Sequence, residues 1–217
     1  MDTKRYFELA DADDADGLMA ALAGVPTTRP VRNLAGETLF QFCTYRGRAK
    51  CVAALKARAP LGFHEAAISN DAERVAALLD AGSWAIDTLS PDGWTALHLA
   101  AFFGSDAAVM VLIERGADAT IWARAFESNL ALHAACAGRR LGKAAFAKLV
   151  AATGDPDIRP KSGYTPLMEA ASVGFADAVE VLIAAGADKT ARHPEKNMNA
   201  AEFARANGHA ALAERLR

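Results

Sequence analysis

Three histidines, His64, His98 and His133, follow one another at intervals of 34 and 35 residues. Histidine is the side chain readiest to bind a metal or move a proton near neutral pH. Three cysteines, Cys43, Cys51 and Cys136, offer thiols for metal binding or nucleophilic attack, and 26 Asp and Glu residues offer carboxylates for acid–base work. Each of these chemistries needs a second group held close to the first. The cysteines form no C-x-x-C pair and no base is spaced to activate them. Phosphate-cradling loops of the G-x-G-x-x-G and G-x-x-x-x-G-K-[ST] kinds do not occur, nor does a G-x-S-x-G nucleophile elbow. No pair of carboxylates is placed by its spacing in a common cleft. The decisive question is therefore what elements carry the histidines and cysteines.

Self-comparison answers it. The segment GWTALHLAAFFGSDAAVMVLIERGAD (residues 93–118) returns as GYTPLMEAASVGFADAVEVLIAAGAD (residues 163–188). In the first copy Thr95 is placed to cap a helix, and Leu97, Ala100 and Ala101 lie on one face of it. Gly104 permits a tight turn, Val109, Leu112 and Ile113 recur at helical spacing on a second helix, and Gly116 ends that helix in the left-handed region. Neither short helix is stable alone, so stability must come from stacking on neighbouring copies. With this register fixed, the position of His98 is filled along the chain by Glu8, Gln41, His64, His98, His133, Met168 and Glu202, at intervals of 33, 23, 34, 35, 35 and 34. Equivalent residues on stacked helix pairs sit about 8–10 Å apart, too far to share a zinc whose ligands each lie about 2.0–2.1 Å from it. The histidines are thus expected to be structural. Cys43 and Cys136 fall on the alanine positions of first helices and Cys51 on an apolar position of a second helix, so all three are expected to be buried small hydrophobes. No metal, cofactor or catalytic residue is assigned.

These residues resemble the ankyrin repeat: a TPLHxA-type helix start, a Gly after the first helix, an apolar second helix and a Gly-Ala-Asp stop. The resemblance covers nearly the whole chain. It implies an all-α solenoid of about seven stacked helix-turn-helix units with short hairpin-like loops, read as a single domain over 1–217. Residues 1–30 form an N-terminal capping unit, 31–60, 61–91, 92–125, 126–160 and 161–194 are repeats, and 195–217 form a C-terminal capping unit. Two departures stand out. The short step from Gln41 to His64 predicts that the hairpin there is reduced to a tight turn around Pro60 and Gly62, and CAGRRLGKAAF (residues 136–146) carries about three extra residues between the helices of its unit.

The same resemblance implies a role in binding proteins through a palm of first helices and finger-like loops. Projected onto this chain, the variable positions of that surface give Tyr45, Trp94, Phe102, Phe103, Phe126 and Tyr164, an aromatic patch centred on Trp94, Phe102 and Phe103. Large aromatics clustered in solvent are unusual on monomers and dominate binding hot spots. Trp84 and Trp122 fall in the fingers, while Phe7, Phe40, Phe63 and Phe146 match core positions. A polar patch is expected where Arg124, Arg139, Arg140, Lys143, Arg159 and Lys161 converge, with Arg139 and Arg140 on the inserted turn offered to an acidic partner.

Composition sets the outer limits. The chain of 217 residues is 52% hydrophobic, with 24 Lys+Arg against 26 Asp+Glu and a net charge of −2, which excludes low-hydrophobicity disorder. The sequence pI near 6.2 leaves no global basic excess for nucleic-acid phosphates. The polar, acidic start lacks a signal-peptide pattern, and no run approaches the ~20 apolar residues of a membrane span. An odd cysteine count suits a reducing compartment, and the Ala- and Arg-rich composition suits a bacterial source. The expectation is a cytoplasmic, monomeric, non-enzymatic protein-binding module. Its rivals are a bacterial effector or adaptor secreted to target a host protein, and a regulatory subunit of an enzyme.

Overall fold

The computed structural model describes residues 3–28, 30–124 and 128–217. Among them the chain forms fourteen α-helices in seven helix-turn-helix pairs and no strand beyond two isolated antiparallel bridges, Arg32 with Thr38 and Leu89 with Thr95. The residues fall into two compact units, 1–65 and 66–217.

The unit 1–65 holds α1 (Thr3–Asp11), α2 (Ala15–Ala21), α3 (Leu39–Tyr45), α4 (Ala49–Arg58) and the start of α5 (Phe63–Ile68). Tyr6, Ala10, Leu18, Leu22, Leu39, Phe42, Cys43 and Cys51 make its core. Asp13, held at φ 54° in the α1–α2 turn, accepts a hydrogen bond from the Cys51 amide at 3.0 Å, which ties the first pair to the second. Thr38 and Gln41 cap α3 reciprocally: the Gln41 amide donates to the Thr38 hydroxyl at 3.2 Å, and the Thr38 amide donates to Gln41 Oε1 at 3.0 Å. Residues 59–62 alone join α4 to α5, so no finger forms there. Glu65 secures this shortened link, accepting from the Gly62 amide at 2.7 Å and from the Thr38 hydroxyl at 2.6 Å.

The unit 66–217 continues with α6 (Ala72–Asp80), α7 (Ala96–Phe103), α8 (Asp106–Glu114), α9 (Ala131–Gly138), α10 (Lys143–Thr153), α11 (Pro166–Val173), α12 (Ala176–Ala184), α13 (Ala200–Ala206) and α14 (Ala210–Arg215). It is built in two layers: first helices α7, α9, α11 and α13 pack in that order, and second helices α6, α8, α10 and α12 pack behind them. Small residues set the spacing of the first layer, with Ala100, Ala101, Ala134, Ala135, Ala170 and Ala171 fully buried. Leu97, Leu132 and Leu167, also buried, each contribute about 1.5–3 kcal/mol of transfer free energy. Polar ties recur from pair to pair. Asn70 Oδ1 accepts from the Ala108 amide at 3.1 Å, the Ser105 hydroxyl donates to the Ile68 carbonyl at 2.9 Å, and Asp106 accepts from the Gly142 amide at 2.8 Å. In the fingers Asp87 accepts from the Asp118 amide at 3.1 Å, and Asp157 accepts from the Asp188 amide at 3.0 Å. On the outer layer Glu180 bridges Lys143 and Arg215.

The inserted turn is anchored through its backbone, while the side chains of its two arginines stay exposed. In the two flanking units the first helix ends in a left-handed glycine, Gly104 at φ 73° and Gly174 at φ 74°; in the inserted unit Arg139 takes that conformation at φ 57°. Because Arg139 fills the glycine's place, residues 139–142 stand where 104–105 and 174–175 stand in the neighbours, and the insertion is shorter by one residue than the sequence suggested. Leu141 plugs it to 2% exposure. A Cβ on Gly138 would lie 2.0 Å from the Phe102 carbonyl oxygen, and one on Gly104 would lie 2.5 Å from Arg140 Cβ. Gly138→Ala is therefore expected to cost about 1–3 kcal/mol in urea denaturation, since α7 and α9 must separate to admit the methyl group. The adjacent change Arg139→Gly is expected to do the opposite and raise stability by up to about 1 kcal/mol, because glycine enters the left-handed region without the Cβ penalty.

Candidate functional site

The histidines turn out to be struts. Thr95 caps α7, accepting from the His98 amide at 3.3 Å, and His98 reaches in two directions: Nδ1 lies 2.8 Å from the Thr95 hydroxyl and Nε2 lies 3.1 Å from the Asn129 carbonyl. A carbonyl oxygen can only accept, so Nε2 carries the proton and Nδ1 accepts from the hydroxyl. His133 repeats the device, with Nε2 3.2 Å from the Ile158 carbonyl and Nδ1 accepting from the Leu130 amide at 3.4 Å. Each ring thus joins its own helix start to the following finger. Burial pushes the pKa of His98 down and that of His133 to about 4. A second proton on His133 would also set an N–H against the Leu130 N–H. His64 is buried in the unit 1–65, its ring edge-on to Phe63 at 5.7 Å.

The thiols are equally enclosed. Cys43, Cys51 and Cys136 are all free and buried. Burial raises Cys43 to about 12 and Cys51 to about 11, and pushes Cys136 up as well. None is poised as a thiolate nucleophile near neutral pH. Among the described residues no three His, Cys, Asp or Glu side chains cluster as metal ligands, and no helix is long and apolar enough to cross a membrane.

The aromatic positions form a ladder along α7. Trp94, in the finger residue before the cap, meets the His98 ring at 5.7 Å and the Phe102 ring at 5.7 Å, nearly perpendicular at 87°; Phe102 meets Phe103 at 5.2 Å and 79°. Edge-to-face geometry of this kind is favourable beyond the area it buries. It also leaves the three rings half-buried rather than fully solvent-facing, since each ring shelters the next. Trp122, on a finger of the same unit, is 39% exposed.

The other expected positions are dispersed. Tyr164 is half-buried, edge-on to His193 at 4.6 Å and tilted on Phe203 at 5.1 Å, with its hydroxyl taken by the Lys196 ammonium. Tyr45 is half-buried at the end of α3 in the unit 1–65. Phe126 lies outside the described residues. Arg139 and Arg140 are exposed on the inserted turn. The six cations expected to converge are divided: Lys143 reaches Glu180 on the outer layer at 2.5 Å, and Arg159 is drawn into a finger, donating to the Arg192 carbonyl at 2.8 Å.

Two features escaped the sequence reading. In the unit 1–65, α1, α3 and the first finger enclose a groove of about 770 Å³ whose lining includes Phe7, Phe42, Arg46 and Leu34. Phe7 and Phe42 meet edge-on at 4.8 Å, Arg46 lies over the Phe42 ring at 3.7 Å, and Leu34 stands at 109% relative exposure. A leucine inside the polar turn segment RNLAGET was the available signal. In the unit 66–217 a smaller, polar pocket of about 220 Å³ opens among Asn129, Ser162, Tyr164, Glu169 and Ser172.

In the unit 66–217, helices capped at Thr95 and Thr165, turned by left-handed Gly104 and Gly174 and joined to the following fingers through His98 and His133, define a helical repeat scaffold. The family model described as ankyrin repeats in three copies matches residues 13–123 and again 123–193. The chain belongs to the ankyrin-repeat family, whose members bind protein partners and are typically non-enzymatic. It is also similar to the ankyrin repeat, SAM and basic leucine zipper domain-containing protein 1 of Dasypus novemcinctus, at 33% identity over 129 residues, covering 58% of this chain and 26% of that protein. The chain therefore matches only about a quarter of that relative's length.

The His133 strut makes stability depend on pH. The unfolded residue titrates near 6.5 and the folded one near 4, so the contribution is complete above about pH 6.5 and is lost as the pH falls towards 4, when the unfolded chain takes up the proton first. The loss is on the order of 3 kcal/mol at most. Gln41 occupies the equivalent position of another repeat, so His133→Gln is expected to flatten the fall in thermal midpoint between pH 7 and pH 4.5 relative to wild type.

Proposed function

We propose that the protein is a protein-binding module without a chemical step of its own, and that the Trp94–Phe102–Phe103 ladder of the unit 66–217 is its main contact. The supporting observation is the ladder itself: three large rings left half-exposed side by side. Other large aromatics, such as Phe146 and Phe203, are enclosed in the core. Rings fixed by edge contacts lose little side-chain entropy when a partner covers them, which favours them as anchors. The packing of His98 against Trp94 further holds the finger end of the ladder in place.

The double variant Trp94→Ala/Phe103→Ala is expected to weaken binding of a purified partner by about 30-fold or more, the scale of a hot-spot loss, while the helical circular-dichroism signal is retained. Calorimetric titration showing the same affinity for the folded variant would remove the ladder as the contact site.

A further inference from the structure

The turn that interrupts the repeat carries two arginines whose guanidinium groups have no partner among the described residues. Six other arginines of the unit 66–217 are put to use: Arg115 pairs with Asp80, Arg192 with Glu202, Arg205 and Arg217 with Glu214, Arg215 with Glu180, and Arg159 donates to backbone carbonyls. Arg139 and Arg140 make no such contact, although the backbone beneath them is firmly held. Leu141 is buried at 2% exposure, the Gly142 amide is bonded to Asp106 at 2.8 Å, and Gly138 is pressed against the Phe102 carbonyl. Two like charges are therefore displayed side by side on a fixed support. Beside the turn, the Asp106 carboxylate is engaged by the Gly142 amide and Lys143 is bridged to Glu180.

The location gives the pair its meaning. Gly138 abuts Phe102, and Arg140 fills the space over Gly104, the residue directly after Phe103. The turn that carries the two arginines and the end of α7 that carries Phe102 and Phe103 thus share one border. We infer that the two act together, and that the segment bound by the ladder is acidic: an apolar anchor seated on Trp94, Phe102 and Phe103, flanked by Asp or Glu side chains that meet Arg139 and Arg140. This inference rests on the ladder being the contact surface and adds the chemistry of the partner. Guanidinium matches a carboxylate in planar, two-pronged geometry. Because the pair is exposed, its effect is greatest on recognition and encounter and is weakened by salt.

The test is selection from a random-peptide phage library on three forms of the full chain: wild type, Arg139→Glu/Arg140→Glu, and Trp94→Ala/Phe103→Ala. Wild type is expected to enrich peptides with an aromatic or aliphatic centre beside Asp or Glu. The charge-reversed form is expected to keep the apolar preference and lose the acidic one, and a synthetic peptide from the wild-type selection is expected to bind it about tenfold more weakly at low salt. Apolar peptides without acidic enrichment on wild type, or equal acidic enrichment on the reversed form, overturn this inference and leave the ladder reading standing. Failure of wild type to enrich any peptide above the aromatic double variant overturns both. Retention of a DNA duplex that is lost on charge reversal, with no acidic-peptide preference, assigns the pair to nucleic acid instead and likewise overturns it.

Discussion

Close approach of neighbouring first helices is the constraint from which the unit 66–217 follows. Helices of eight residues such as α7, α9 and α11 are too short to persist alone. They are stabilised by being laid against one another over faces of Ala100, Ala101, Ala134, Ala135, Ala170 and Ala171, all without exposure. Alanine brings backbones near enough for side chains of one pair to bond the backbone of the next, which is where Ser105, Asn70, Asp106 and the two histidine struts operate. A larger residue in that layer would disturb packing and polar ties together. The buried rings of His98 and His133 follow from the same closeness, since a neutral imidazole is long enough to join a helix start to the adjacent finger.

Much of this was legible in the sequence because each repeat states its own local rules. Thr95 and Thr165 cap helices where the pattern put them, and Gly104 and Gly174 turn in the left-handed region as a tight turn demands. The missing finger between α4 and α5 was readable from the short interval between Gln41 and His64. Less legible were features fixed by contacts between repeats. Spacing placed Phe102 and Phe103 on an outward face, yet their mutual edge contacts, which half-bury them, depend on side-chain geometry that spacing does not carry. The inserted turn was overestimated because nothing in CAGRRLGKAAF marks Arg139 as the residue that adopts the glycine conformation. Leu34 and the groove beside Phe7 were missed for a related reason: a repeat register assigns apolar residues to the core and does not register one left outside it.

The division of labour between backbone and side chain differs along the chain. In the unit 1–65 side-chain capping by Thr38, Gln41 and Glu65 substitutes for an absent finger. In the unit 66–217 fingers are present and repeat a fixed pattern, with Asp118 and Asp188 each accepting from the amide and hydroxyl of the threonine two residues on. Asp118 and Asp188 are held below the usual carboxylate range chiefly by those threonine hydroxyls. These loops are thereby stiffened on the side of the molecule that carries Trp94 and Trp122.

The turn glycines have a consequence for how such a chain changes over generations. The space a Cβ would need at Gly104 is occupied by Arg140 of the following unit; at Gly174 it is occupied by His209. The choice of glycine is thus dictated by a neighbour some 35 residues downstream as well as by the local backbone. A unit copied or exchanged alone would carry a vacancy suited to a residue it no longer faces. At Gly104 and Gly174, therefore, an exchange that kept adjacent units together would preserve the fit of the turn, whereas Gly47, which meets nothing within 4 Å, places no such demand.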